Sequence, residues 1–212
     1  MKHICTLLFA ASLAVSFFTT NVSAQSQASA QPRTELLPAP VKTGGMPLQD
    51  AIAARKSSRD ISPDSNISKQ DISNMLWAAW GITHDDKRTV ATALNKQELC
   101  LYAITATGIC RYDAQANALV TVQTGDFRSL TGMQPFAKTA PLNIVFVADS
   151  QKQDKEIFQA YAAGAASQNI YLYCASAGLK TVLRASFDKD KLAKAMHLSA
   201  REQVLFVQTV GK

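Results

Sequence analysis

The hydrophobic pattern of the chain switches between two periods. Leu48, Ala51, Ile52 and Arg55 fall at helical spacing, which predicts a helix over residues 47–56 whose apolar face ends where a run of cations begins. A second helix carries Ile72, Met75, Leu76, Ala79 and Trp80 on one face. Ser68 with Asp71 three residues on supplies its N-cap, Ile67 and Ile72 occupy hydrophobic-staple positions, and Gly81 is placed to stop it. Trp77 lies off that stripe. Trp77 and Trp80 read as core and interface packing, against the alternative of ring contact with a ligand.

Beyond Asn95 the pattern turns to strands. Residues 99–105 and 109–113 predict a hairpin around Ala106-Thr107-Gly108, followed by a strand at 117–122 and a short helix at 126–130. Residues 142–148 are apolar on both faces, which predicts a central strand. The longest helix is expected over residues 154–177, its first half crowded with alanines around Gly164. A strand at 180–184, a helix at 188–196 opened by an Asp cap and a last strand at 204–210 complete the chain. Strands and helices are mixed rather than alternating in βαβ units, so the expected class is α+β.

The first residues change the picture. Lys2, an apolar run from Ile4 to Phe18 and the small-x-small sequence Val22-Ser23-Ala24 make a secretory leader over 1–24, shorter in its apolar part than the roughly 20 residues of a membrane span. The mature protein is expected in the periplasm or secreted, with no membrane span. Residues 25–45, rich in Gln, Ser, Ala and Pro, read as a flexible linker that becomes extended around 36–40, leaving 46–212 as one domain. The net charge of +6 falls by the single Lys2 when the leader goes, to 21 cations against 16 anions. That excess is spread along the chain without a long basic run, which argues against nucleic acid and leaves room for a phosphate-bearing cofactor.

Cys100, Cys110 and Cys174 remain after export, so at least one thiol is free. A two- or three-residue turn at 106–108 pairs positions that place Cys100 and Cys110 out of register, and no bridge is expected between them. His84 and His197 are far apart in sequence and no Cys-x-x-Cys occurs, so no metal site is expected.

The chemistry concentrates at Arg55-Lys56-Ser57-Ser58-Arg59, three cations and two hydroxyls in consecutive positions. Guanidinium groups, serine hydroxyls and free backbone N–H groups together suit a phosphate dianion. The plain alternative is that these cations complement the dipole of the helix they follow. Residues 89–94 form a small-residue loop that leads to Asn95 and would let backbone approach a flat ring; Asn95 is otherwise a turn residue capping its own backbone. The chain contains no Gly-x-Ser-x-Gly, His-Glu-x-x-His or Gly-x-Gly-x-x-Gly, so hydrolase and dinucleotide-fold signatures are missing.

Met46-Pro-Leu through Arg55-Lys-Ser-Ser-Arg59, Ile72 through Gly81, Arg88-Thr-Val-Ala-Thr-Ala-Leu-Asn-Lys-Gln-Glu98, Ser167 through Leu179 and Gln208-Thr-Val-Gly211 together resemble the nitroreductase family of FMN flavoproteins. The likeness leans toward the branch of thiazole- and oxazole-forming peptide dehydrogenases and their stand-alone relatives, and runs over roughly residues 37 to 211.

That resemblance implies a three-layer fold with a mostly antiparallel sheet flanked by helices. It implies an FMN held by Arg55, Lys56, Ser57 and Arg59, with Asn95 hydrogen-bonded to the ring. It further implies backbone donors at Arg184, Ala185 and Ser186 near flavin N5 and O4, and Lys212 near the phosphate. No side chain is needed as a nucleophile, because the flavin carries the reactivity. A homodimer is implied, with the long helix at its twofold axis. The chain stops at Lys212, where many relatives continue into an arm, which implies a smaller interface. The expected activity is electron transfer from a small-molecule donor to a quinone, nitroaromatic or similar acceptor. The alternatives are a ligand-binding domain that has lost productive flavin, and an azoline dehydrogenase.

Overall fold

The computed structural model describes residues 33–63 and 65–212. The expected leader and the first part of the linker lie outside the described residues. Seven strands form one sheet in the order β1-β4-β3-β2-β5-β7-β6, with every neighbouring pair antiparallel. They are β1 (Thr34–Leu36), β2 (Leu99–Thr105), β3 (Gly108–Asp113), β4 (Ala118–Thr124), β5 (Leu142–Asp149), β6 (Lys180–Arg184) and β7 (Glu202–Gly211).

β5 holds the sheet together because each of its residues from Leu142 to Ala148 is buried. Ile144, Phe146 and Ala148 turn toward α2 (Lys69–Trp80) and α4 (Glu156–Ser176), and Val145 and Val147 turn to the opposite face, against Leu192 of α5 (Lys189–Ala195) and Met196. Period-two alternation on a strand covered from both sides thus builds two cores, and the molecule is the expected three-layer α+β arrangement. Burying a side chain the size of Phe146 contributes about 2–3 kcal/mol over leaving it in water.

Local signals act as their chemistry dictates. The Ser68 side chain accepts from the Asp71 N–H at 3.0 Å at the head of α2, and the Asp188 carboxylate accepts from the Lys191 N–H at 3.0 Å at the head of α5. Gly81 ends α2 in extended backbone rather than in the left-handed region; a Cβ there would lie 2.2 Å from the Trp77 ring, so contact sets the requirement. The hairpin turns at Ala106-Thr107, which puts Ala103 opposite Cys110. Cys100 faces Val147 of β5 instead, and the three described cysteines are free.

Three expectations need correcting. Residues 34–41 are not a loose tether: β1 pairs with β4, the Leu37 N–H donates to Asn117 O, and the Pro38 carbonyl accepts from Ser73 Oγ. Composition conceals this, because Pro38 and Pro40 suggest a linker although proline fits an extended edge that needs no donor there. A five-residue helix, α3 (Pro135–Thr139), was not anticipated, being too short for periodicity to register. The alanines of α4 serve the chain's own interior: Ala162, Ala163 and Ala166 are fully buried, whereas Ile157, Tyr161, Gly164 and Gln168 form the exposed stripe.

Candidate functional site

Helix α1 (Leu48–Ala54) packs on α4 through Ala51, leaving Leu48 and Ile52 on the surface. At Arg55 the backbone leaves the helix for extended geometry, and Ser58 N donates to Thr181 O of the edge strand β6 at 2.9 Å. Extended backbone sends successive side chains to opposite sides. Arg55 lies 5.3 Å from the centre of the Tyr171 ring, and Ser57 Oγ is 2.8 Å from the Tyr171 hydroxyl. Lys56 and Ser58 line a cleft of about 350 Å³ with Tyr171, Gly178, Lys180 and Thr181, so Tyr171 borders both pairs.

Tyr171 is the residue the sequence did not disclose. Its ring supports the Arg55 guanidinium and its hydroxyl accepts from Leu183 N of β6 at 2.8 Å, so one buried phenol joins α1, α4 and the sheet edge. A hydroxylated aromatic on the buried face of a long helix is the only sequence signal for it.

At the end of β6, Arg184 turns inward. Its Nη1 donates to Thr131 O at 2.9 Å, its Nη2 to Asn143 Oδ1 at 3.2 Å, and its Nε to Thr209 Oγ1 at 3.1 Å. Among the described residues no carboxylate pairs with it. Burial, with Arg59 adding repulsion, brings its pKa down to about 10. The Arg184 side chain is thus part of the interior, and the groups it presents outward are those of the next two residues. Ala185 and Ser186 are exposed and their N–H groups carry no hydrogen bond among the described residues. Lys212 closes the same corner: its N–H donates to Ser65 Oγ and its carbonyl accepts from Ser62 N, just past Arg59.

Asn95 lies elsewhere. Leu94, Asn95 and Gln97 have φ of 55°, 52° and 48°, three left-handed residues within four positions. Non-glycine residues hold such angles only where their surroundings impose them. Next to this loop Ala91, Thr92 and Ala93 meet Ile157, Phe158, Ala160 and Tyr161 across an open apolar groove of about 680 Å³. From Ala160 to Tyr171 the axis of α4 rises about 16 Å. Within one chain, then, Arg55 and Ser57 meet at Tyr171, toward one end of α4, and the loop that leads to Asn95 meets the other.

Fold and charged corner together define a three-layer α+β protein that sets an arginine-serine segment against a long internal helix. The family model described as the nitroreductase family matches residues 52–212, and the chain belongs to that family. A crystal structure of a nitroreductase from Ralstonia eutropha is 36% identical with a TM-score of 0.79, covering 86% of this chain and 93% of that one. A nitroreductase-designated protein of Methanocaldococcus jannaschii is 23% identical over 78% of this chain and 90% of its own length. Two more distant structures share the fold. One, from Desulfovibrio desulfuricans, was solved in complex with FMN, at 22% identity and a TM-score of 0.60 over 79% of this chain and 87% of that one. The other belongs to the Escherichia coli microcin synthetase complex, at 18% identity and 0.65 over 92% and 84%.

Proposed function

We propose that this chain is an exported FMN-dependent oxidoreductase that works as a homodimer, passing electrons from a small-molecule donor to a quinone, nitroaromatic or similar acceptor. The observation that carries the reading is one of convergence. Arg55 and Ser57 close on Tyr171, Arg59 adds its charge to that of Arg184, and the two N–H groups after β6 carry no hydrogen bond among the described residues. The half-buried Arg55 guanidinium, the exposed Arg59 guanidinium and a hydroxyl suit a phosphate monoester, and the donors of Ala185 and Ser186 suit a ring edge that carries acceptors. The FMN complex of the Desulfovibrio neighbour supports the choice of cofactor.

Bound FMN supplies two-electron exchange at its N5. The chain's own residues hold and orient it. Arg55 and Arg59 neutralise the phosphate, and Tyr171 fixes both Arg55 and Ser57 in place. The buried Arg184 adds positive charge that no carboxylate cancels among the described residues. Export rests on the leader pattern of residues 1–24. Dimerisation rests on the exposed stripe of Ile157, Tyr161 and Gly164, together with the surface residues Leu48 and Ile52.

The test is steady-state kinetics of the FMN-loaded protein with NADH as trial donor and a quinone as acceptor. Parallel double-reciprocal lines are expected, and they persist in Cys174→Ala because Cys174 is buried beside Met75 and its thiol is held above its ordinary pKa. Intersecting lines, or loss of turnover in Cys174→Ala, overturn the scheme.

A further inference from the structure

We infer that Arg88 and Gln97 are positioning residues that fix the orientation of the Asn95 amide, engaging Oδ1 and leaving Nδ2 to donate to the ligand; this rests on the flavin reading. The donors and acceptors around Gln97 leave one amide orientation. Arg88 can only donate, and its Nε lies 2.9 Å from one atom of the Gln97 amide, which is therefore Oε1. The other atom must then be Nε2. It lies 2.9 Å from the carbonyl of Asp86, which can only accept, so two independent partners require the same orientation. The second hydrogen of Nε2 points to Asn95 at 3.2 Å, and the Asn95 atom that receives it is Oδ1. Among the described residues Nδ2 has no partner, and Asn95 is exposed.

Arg88 is itself anchored. Its Nη1 donates to the Trp80 carbonyl at 3.2 Å, and its guanidinium lies 5.1 Å from the centre of the Trp80 ring. The loop backbone is held separately, by Gln97 N donating to Thr92 Oγ1 at 3.0 Å and Asn95 N to Thr92 O at 3.1 Å. The left-handed backbone and the side-chain polarity are thus set by different bonds, which lets them be tested apart. The ligand group opposite Nδ2 of Asn95 must be an acceptor, a ring carbonyl oxygen or an unprotonated ring nitrogen.

The experiment measures the FMN dissociation constant by fluorescence titration of the full-length protein, with thermal unfolding of the same flavin-free samples. Asn95→Asp keeps the shape and replaces the donor with an acceptor; affinity should fall at least tenfold. Gln97→Glu keeps the partner of Arg88 and removes the donor to Asn95 Oδ1, freeing the amide to rotate. Affinity should then fall several-fold, with the unfolding temperature of the flavin-free protein unchanged. Wild-type affinity in Asn95→Asp overturns the polarity assignment. A Gln97→Glu protein with lowered unfolding temperature and unaltered affinity shows a purely structural Gln97 and overturns the relay. A wild type that binds no FMN overturns the flavin reading, and this inference with it.

Discussion

A Cβ on Gly132 would lie 1.9 Å from Nη1 of Arg184 and 3.0 Å from its Cζ. Gly132 is needed there because the guanidinium occupies the space a side chain would take, and that same guanidinium ties Thr131, Asn143 and Thr209 together. Gly132→Ala should force Arg184 out of its bonds and leave buried polar groups unpaired, at a cost of about 2–4 kcal/mol. Urea unfolding measures it, and a loss below about 0.5 kcal/mol would show that the cluster yields without penalty.

Stability should decline in alkali. Burial pushes the thiols of Cys100, Cys110 and Cys174 above their ordinary 9.0, and lifts Tyr112 and Tyr173 from 10.0 to about 12. The folded protein keeps these protons where the unfolded chain releases them. Their contribution is therefore complete below pH 9 and is lost as pH rises through the folded values. The urea midpoint should fall steadily from pH 8.5 to pH 10.5, and thiol labelling of the folded protein at pH 8 should be slow at Cys100 and Cys110 and slowest at Cys174. A flat stability profile across that range contradicts the assignment.

The proposed dimer has a clean probe in Gly164. A Cβ at this exposed position meets no atom of its own chain within 4 Å, so Gly164→Leu costs the folded subunit little beyond its neighbourhood in a partner. It should weaken association at least tenfold in sedimentation velocity with unfolding stability preserved. Ala163→Leu is the contrasting case, because Ala163 is fully buried and overpacking there costs about 1–3 kcal/mol in the subunit itself. A wild type that sediments as a monomer with flavin bound would refute the dimer.

The layered fold was legible wherever burial imposes a period. Residues 142–148 announced a strand covered on both faces, and the turn at 106–107 set the register that separates Cys100 from Cys110. Ser68 and Asp188 marked two helix starts through the oxygens that now cap them. What escaped depends on tertiary partners. The edge strand at 34–36 exists only because β4 offers an unpaired side, and the five residues of α3 are too few to show a stripe. At the site, the basic cluster was visible as composition, but the contacts of Arg55 and Ser57 with Tyr171 depend on backbone that turns extended at Arg55 and on a helix far along the chain. The resemblance offered backbone donors at Arg184, Ala185 and Ser186; the Arg184 side chain turns into the interior, and among the described residues the N–H groups of Ala185 and Ser186 carry no bond.

The central claim is that the corner formed by Arg55, Ser57, Arg59 and the end of β6 holds FMN, and the visible absorption spectrum of the purified protein, before and after incubation with FMN and gel filtration, tests it most directly. The account predicts a flavin band that travels with the protein and is lost in the Arg55→Ala, Arg59→Ala double variant, because removing both cations strips the phosphate of its charge-assisted bonds at about 1.5–3 kcal/mol each. A colourless wild type that elutes free of added FMN would contradict it.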